Sequence, residues 1–214
     1  MTLPGPLVST AWLAGQLADP TLRVLDATVF LHVNPDGAGY IPESGRARWA
    51  EGHIEGARFV DLIGEFSDQQ AAVRFTMPAP AAFCALAGAL GVGDDSTVVV
   101  YSSGSPMWAT RLWWMFRSVG FDRCAVLDGG LARWQAEGRP VTTATHGYPA
   151  ATLTPHPRPG LWASQRDVLN AIGDAGVCTI NALSPAVYSG EKNMYGRAGH
   201  IPGSRCVPVS DLIA

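Results

Sequence analysis

Val98-Val99-Val100-Tyr101-Ser102-Ser103-Gly104-Ser105-Pro106-Met107-Trp108 is the stretch whose reading decides the fold. Its opening apolar run, with no polar alternation, suits a strand buried on both faces, as in a parallel sheet. The Ser/Gly/Pro cluster after it is a turn, and residues 108–119 read as a helix closed by Gly120. Runs of the same kind at 23–27 and 125–127 supply two more buried strands, and residues 79–90 and 131–136 supply helices. Strands and helices alternating along one chain predict an α/β fold.

Of 214 residues, 47% are hydrophobic and 15% charged, with a formal net charge of -3, the profile of a globular chain rather than a disordered one. That balance lacks the basic footprint of a nucleic-acid binder. No apolar run approaches the roughly 18 residues of a membrane span. Residues 1–12 carry no Lys or Arg ahead of their apolar positions and no cleavage signature follows, so the expected location is the cytoplasm. Cys84, Cys124, Cys178 and Cys206 form no C-x-x-C pair, so neither a metal site nor a cofactor is expected. Each reads as a small hydrophobe among apolar neighbours.

Working outward, the chain echoes itself. Val8-Ser9-Thr10-Ala11-Trp12-Leu13 returns as Leu161-Trp162-Ala163-Ser164-Gln165, each with a hydroxyl placed to cap a helix. Arg23-Val24-Leu25-Asp26-Ala27 returns as Val177-Cys178-Thr179-Ile180-Asn181-Ala182, and Gly52-His53-Ile54-Glu55-Gly56-Ala57-Arg58 as Gly199-His200-Ile201-Pro202-Gly203-Ser204-Arg205. Between the repeats, residues 139–159 are rich in proline and poor in periodic apolar positions, as an extended linker is. The division expected is a first domain over 1–145, a linker over 146–160, and the N-terminal part of a second domain over 161–214.

Three motifs in order carry a family resemblance: G-H-I-x-G-A/S at 52–57 and 199–204, a strand running into the glycine-containing turn at 101–104, and Val126-Leu127-Asp128-Gly129-Gly130-Leu131 followed by Trp134. Together they resemble the rhodanese family, and Arg111-Leu112-Trp113-Trp114-Met115-Phe116-Arg117 is similar to the first domain of tandem thiosulfate and 3-mercaptopyruvate sulfurtransferases. The resemblance implies rhodanese-like domains with a central parallel sheet flanked by helices, one complete copy followed by the first half of another. It also implies transfer of sulfane sulfur from a small anionic donor to cyanide or a thiol through a cysteine persulfide, with no nucleic acid or membrane partner. The alternative is an inactive rhodanese-like binding or regulatory module.

Sulfur transfer needs a thiolate, stabilised by backbone N–H groups at a helix start. The family's cysteine position falls here on Ser102, which cannot carry a persulfide, so the first domain is expected to be catalytically degenerate. The spacing from His53 to Ser102, carried over from His200, places the catalytic cysteine beyond Ala214. By resemblance, Met107 and Trp108 line the substrate cleft and Arg197 binds the donor, since a planar, permanently charged guanidinium suits its oxygens. Arginines that mercaptopyruvate-type enzymes usually carry are missing near Val187, which favours thiosulfate. His53 and His200 read as structural, tying down backbone carbonyls. A half-copy without its remaining sheet is expected to expose edges and apolar surface.

Overall fold

The computed structural model describes residues 1–35 and 37–213, so Ala214, the last residue of the expected second domain, lies outside them. Along the chain come β1 (Leu7–Val8), α1 (Thr10–Ala14), β2 (Leu22–Asp26), β3 (Val29–Val33), β4 (Tyr40–Ser44), α2 (Arg46–Glu51), β5 (Arg58–Phe59), α3 (Pro80–Ala89), β6 (Thr97–Tyr101), α4 (Met107–Ser118), β7 (Cys124–Leu127) and α5 (Gly130–Ala136). There follow α6 (Gln165–Asn170), β8 (Ile180–Asn181), α7 (Pro185–Ser189), β9 (Arg205–Cys206) and a 3-10 turn (Val209–Leu212). Internal contacts gather this chain into two units, Met1–Phe30 with Pro42–Pro159, and Leu31–Ile41 with the residues from Gly160 onward.

In the first unit the sheet runs β1-β7-β6-β2-β5, with every pairing parallel. The apolar run read from the sequence is β6, at its centre, where every residue is buried. Each valine there contributes about 1.5–3 kcal/mol by leaving water. Its register sets Tyr101 beside Asp26, so the C-terminal ends of β2 and β6 finish together and their loops emerge side by side. Leu131 and Trp134 bury one face of α5 against this core, as their spacing predicts. β3 and β4 form a separate two-stranded sheet, with Leu31–Ile41 counted in the second unit, an element that the sequence reading did not expect.

The stretch expected as a linker is extended, but most of it is fastened to the first unit as a strap. The Tyr148 hydroxyl donates to Gly56 O, Ala151 N–H to Gly88 O, His156 N–H to Val119 O and Arg158 N–H to Ser118 O. Arg158 also forks onto Asp122 through both terminal nitrogens. Gly88 explains a glycine inside a helix, because a Cβ there would stand 2.4 Å from Ala151 O. The close approach of the strap is what α3 gains for the loss in helix propensity, about 1 kcal/mol.

In the second unit α6 begins with a capping box, Ser164 and Asp167 each bonding the other's backbone N–H. β8 and β9 pair in parallel, Ile180 with Arg205 and Asn181 with Cys206. The strand expected over 177–182 is thus only two residues long, and Cys178, expected as a small hydrophobe among apolar neighbours, is exposed just before it. No helix among the described residues is long and apolar enough to cross a membrane.

Candidate functional site

The loop between β6 and α4 is shaped by its neighbours. Asp26 ends β2 and its Oδ1 accepts from the Thr28 N–H at 2.9 Å, a local turn that brings the Thr28 hydroxyl back to the same oxygen. Thr28 Oγ1 in turn accepts from the Ser103 N–H at 2.8 Å. From the other side, the Leu131 N–H donates to Ser102 O at 3.2 Å. That grip requires Gly130, whose φ is +55° and whose Cβ, if present, would lie 2.4 Å from Ser102 O. The Asp-Gly-Gly turn was legible as a sharp turn; its role in clasping this loop was not, because the contact is tertiary. Thr28 was missed altogether, although an Asp two residues before a Thr at a strand end is a turn signal.

Ser102 is 4% exposed and its hydroxyl donates to Ser105 O at 2.8 Å. The loop therefore keeps the strand-turn-helix form but closes on itself. Two N–H groups that could point at an anion are spent internally, Ser103 on Thr28 and Met107 on Ser105 Oγ. An oxygen whose proton is held by a carbonyl, with no neighbouring base, has neither the softness for sulfur nor the activation for acyl transfer.

Of the other residues expected at a site, Met107 is exposed at the start of α4, while Trp108 is buried with its ring 4.8 Å from that of Phe75. Phe75 is held in turn by Arg111, which donates to its carbonyl. Phe75 has a φ of +62°, rare for a bulky side chain, so contacts on both its ring and its carbonyl maintain a strained turn. Arg197 lies exposed in the second unit, between Gly196 and Gly199, both with positive φ, and makes no ion pair among the described residues. Met107, Trp108 and Ser102 thus share one loop-helix junction, and Arg197 belongs to a different unit.

The cysteines divide by environment. Burial pushes the Cys84 thiol up to about 11, with the Asp94 charge adding to it, and burial alone pushes Cys124 well above its ordinary value. Both are poor sources of thiolate. Cys206 is half-buried, its Sγ 3.9 Å from Leu183 O, and Cys178 is exposed. Neither sits in a loop opening a helix after a strand. Among the described residues no three His, Cys, Asp or Glu side chains gather as a metal ion would require.

His53 is buried, stacked on Trp49 with centroids 4.2 Å apart, its Nδ1 2.8 Å from Trp49 O and its Nε2 3.2 Å from Ala144 O. His200 repeats the device on Tyr188, centroids 3.7 Å apart and Nδ1 2.8 Å from Tyr188 O. Both rings hold carbonyls in place.

A family model described as Rhodanese-like domain matches residues 9–137. Thiosulfate/3-mercaptopyruvate sulfurtransferase 1, mitochondrial, of Arabidopsis thaliana is 34% identical over 97% of this chain, and the chain spans 59% of that protein's length. Thiosulfate sulfurtransferase of Mus musculus is 32% identical over 97% of the chain, which covers 70% of it. Among solved structures, SseA from Escherichia coli, a 3-mercaptopyruvate sulfotransferase, superposes with a TM-score of 0.84 at 30% identity, covering 98% of this chain and 77% of its own.

Proposed function

Because the chain belongs to the rhodanese family, we propose that it is part of a sulfurtransferase in which the sulfur-carrying cysteine is supplied from outside residues 1–214. In this reading a thiolate attacks the sulfane sulfur of thiosulfate, the S–S bond breaks and sulfite leaves with its electron pair. The resulting persulfide then yields its outer sulfur to cyanide or a thiol. Residues 1–145 form the degenerate domain, and 161–214 a partial second copy. Arg197 holds the donor's oxygens, a role suited to an exposed guanidinium without a competing carboxylate. Met107 offers apolar cover near the reacting sulfur, with Trp108 packed behind it on Phe75. The proposal places the enzyme in the cytoplasm.

The observation that carries the reading is the Ser102 loop, a family frame whose first residue is a serine with its proton committed to Ser105 O. Thiosulfate stands ahead of 3-mercaptopyruvate because the sequence carries no arginine between Arg166 and Arg197, the stretch that holds Val187. The test is to incubate the 214-residue chain with thiosulfate, then assay thiocyanate formation and cysteine-bound sulfane sulfur by mass spectrometry. None of the four cysteines is expected to carry sulfur, and turnover is expected only when a segment bearing a cysteine in a Ser102-type loop is also present. A persulfide on Cys178 or Cys206, with turnover abolished by the matching Cys→Ser change, would overturn the assignment.

A further inference from the structure

A cavity of about 600 Å³ lies within the first unit, between β5 at the sheet edge, α2, α3 and the beginning of the strap. No residue of the Ser102 loop lines it, and neither does Arg197. Two guanidinium groups do. Arg46 stands with its central carbon 4.8 Å from the centroid of the Phe59 ring. Arg58 uses one terminal nitrogen on His146 O at 3.3 Å, leaving other N–H groups of its fork uncommitted. Neither is paired with a carboxylate among the described residues, and the one acidic residue on the wall is Glu65. With two arginines against one glutamate the lining carries a net single positive charge. The rest of the wall is largely apolar, with the rings of Trp49 and Phe59 standing 6.4 Å apart. The Trp49 indole N–H is buried and has no acceptor among the described residues.

A concave site with apolar walls and a few convergent donors is the general form of a small-molecule pocket. We propose that this cavity binds a small organic monoanion, a carboxylate or sulfonate with a flat apolar body. The anionic oxygens meet Arg46 and Arg58, whose planar forks match them. The body lies against the Trp49 and Phe59 rings. The site is separate from the sulfur chemistry, so its test does not depend on any sulfur transfer.

Benzoate titrated into the protein by calorimetry, beside its neutral shape-match benzamide, tests the inference. Saturable benzoate binding is expected, with benzamide at least about tenfold weaker, and Arg46→Gln and Arg58→Gln each weakening benzoate about tenfold, the value of one charge-assisted hydrogen bond. Arg58→Lys, which keeps the charge, should retain part of the affinity and controls for damage to β5. Ala89→Trp, from the exposed side of α3 into the cavity, should abolish binding with an unchanged circular dichroism spectrum. Absence of saturable binding, equal binding of benzamide, or undiminished binding in both Gln variants would overturn the proposal.

Discussion

Residues 53–60 and 200–207 are folded by the same bonds in opposite surroundings. In the first, the Ala57 N–H donates to Ile54 O, the Val60 N–H to Asp26 O, and the Asp26 carboxylate accepts from the backbone two residues on. In the second, the Ser204 N–H donates to Ile201 O, the Val207 N–H to Asn181 O, and the Asn181 amide oxygen accepts from the Leu183 N–H. Gly56 and Gly203 turn with φ of +76° and +79°. Yet Ile54 is 0% exposed and Ile201 40%, and Leu25 is 0% exposed against 59% for Ile180. A frame of this kind is specified by residues that reach one another's backbone, and it forms whether or not a core closes over it. Burial belongs to the whole sheet. In the first unit β2 lies between β5 and β6, while β8 has a sheet partner on one side alone among the described residues.

Three matched pairs of substitutions and one single change would break or sharpen this comparison, each read as a shift in urea unfolding. The largest contrast is Leu25→Ala, expected to cost about 2–5 kcal/mol as a filled core site is emptied, against Ile180→Ala, expected within about 0.5 kcal/mol. Equal costs would mean that the second unit has a core of its own. His53→Ala removes a buried ring and its bonds to two carbonyls and should cost about 1–3 kcal/mol, whereas His200→Ala, on an exposed ring, should cost less than about 1 kcal/mol.

Next come the paired glycines. Gly203→Ala, with nothing within 4 Å of its Cβ, isolates the left-handed backbone penalty of about 1–2 kcal/mol. Gly56→Ala adds a collision with the Tyr148 hydroxyl at 2.7 Å and should cost about 1 kcal/mol more. The smallest contrast is a slope. Burial raises the Asp26 carboxyl above its ordinary value of 3.8, outweighing the bonds from Thr28, so the folded chain binds this proton more tightly than the unfolded one. Its stabilisation is complete below the unfolded value and is lost as pH rises through the raised one. Asp26→Asn, which copies Asn181, should therefore gain stability relative to the parent as pH rises from about 4 to about 7. A flat difference would place the charge on Asp26 in both states.

Where the sequence was informative, the signal was local or periodic. The valines of β6, the amphipathic α4 and the hydroxyl caps Ser9 and Ser164 all follow from neighbours within a few turns of chain, whereas one of the carbonyls that His53 holds, Ala144 O, lies 91 residues away. Ser102 stood out because the chemistry demands sulfur and the residue is oxygen. The Thr28 and Leu131 contacts that fasten its loop did not, since they join residues far apart in sequence. The proline-rich stretch shows the same limit: composition identifies extended backbone, and only the partners decide whether that backbone is a tether or a strap.

That strap has a consequence for the order in which the molecule is finished. Gly88 O and Ser118 O, which accept from Ala151 and Arg158, lie in the last turns of α3 and α4, and Val119 O, which accepts from His156, ends α4. Ser118 O and Val119 O have no partner inside their own helix, while Gly88 O also accepts from the Gly91 N–H in the turn that closes α3. During synthesis the strands and both helices precede residue 151, yet the end of α4 stays open until the chain as far as residue 158 has emerged. The last fastening of the first unit is thus deferred to a segment that contributes no strand and no helix, and a nascent chain that already holds the whole sheet still has the end of α4 to close.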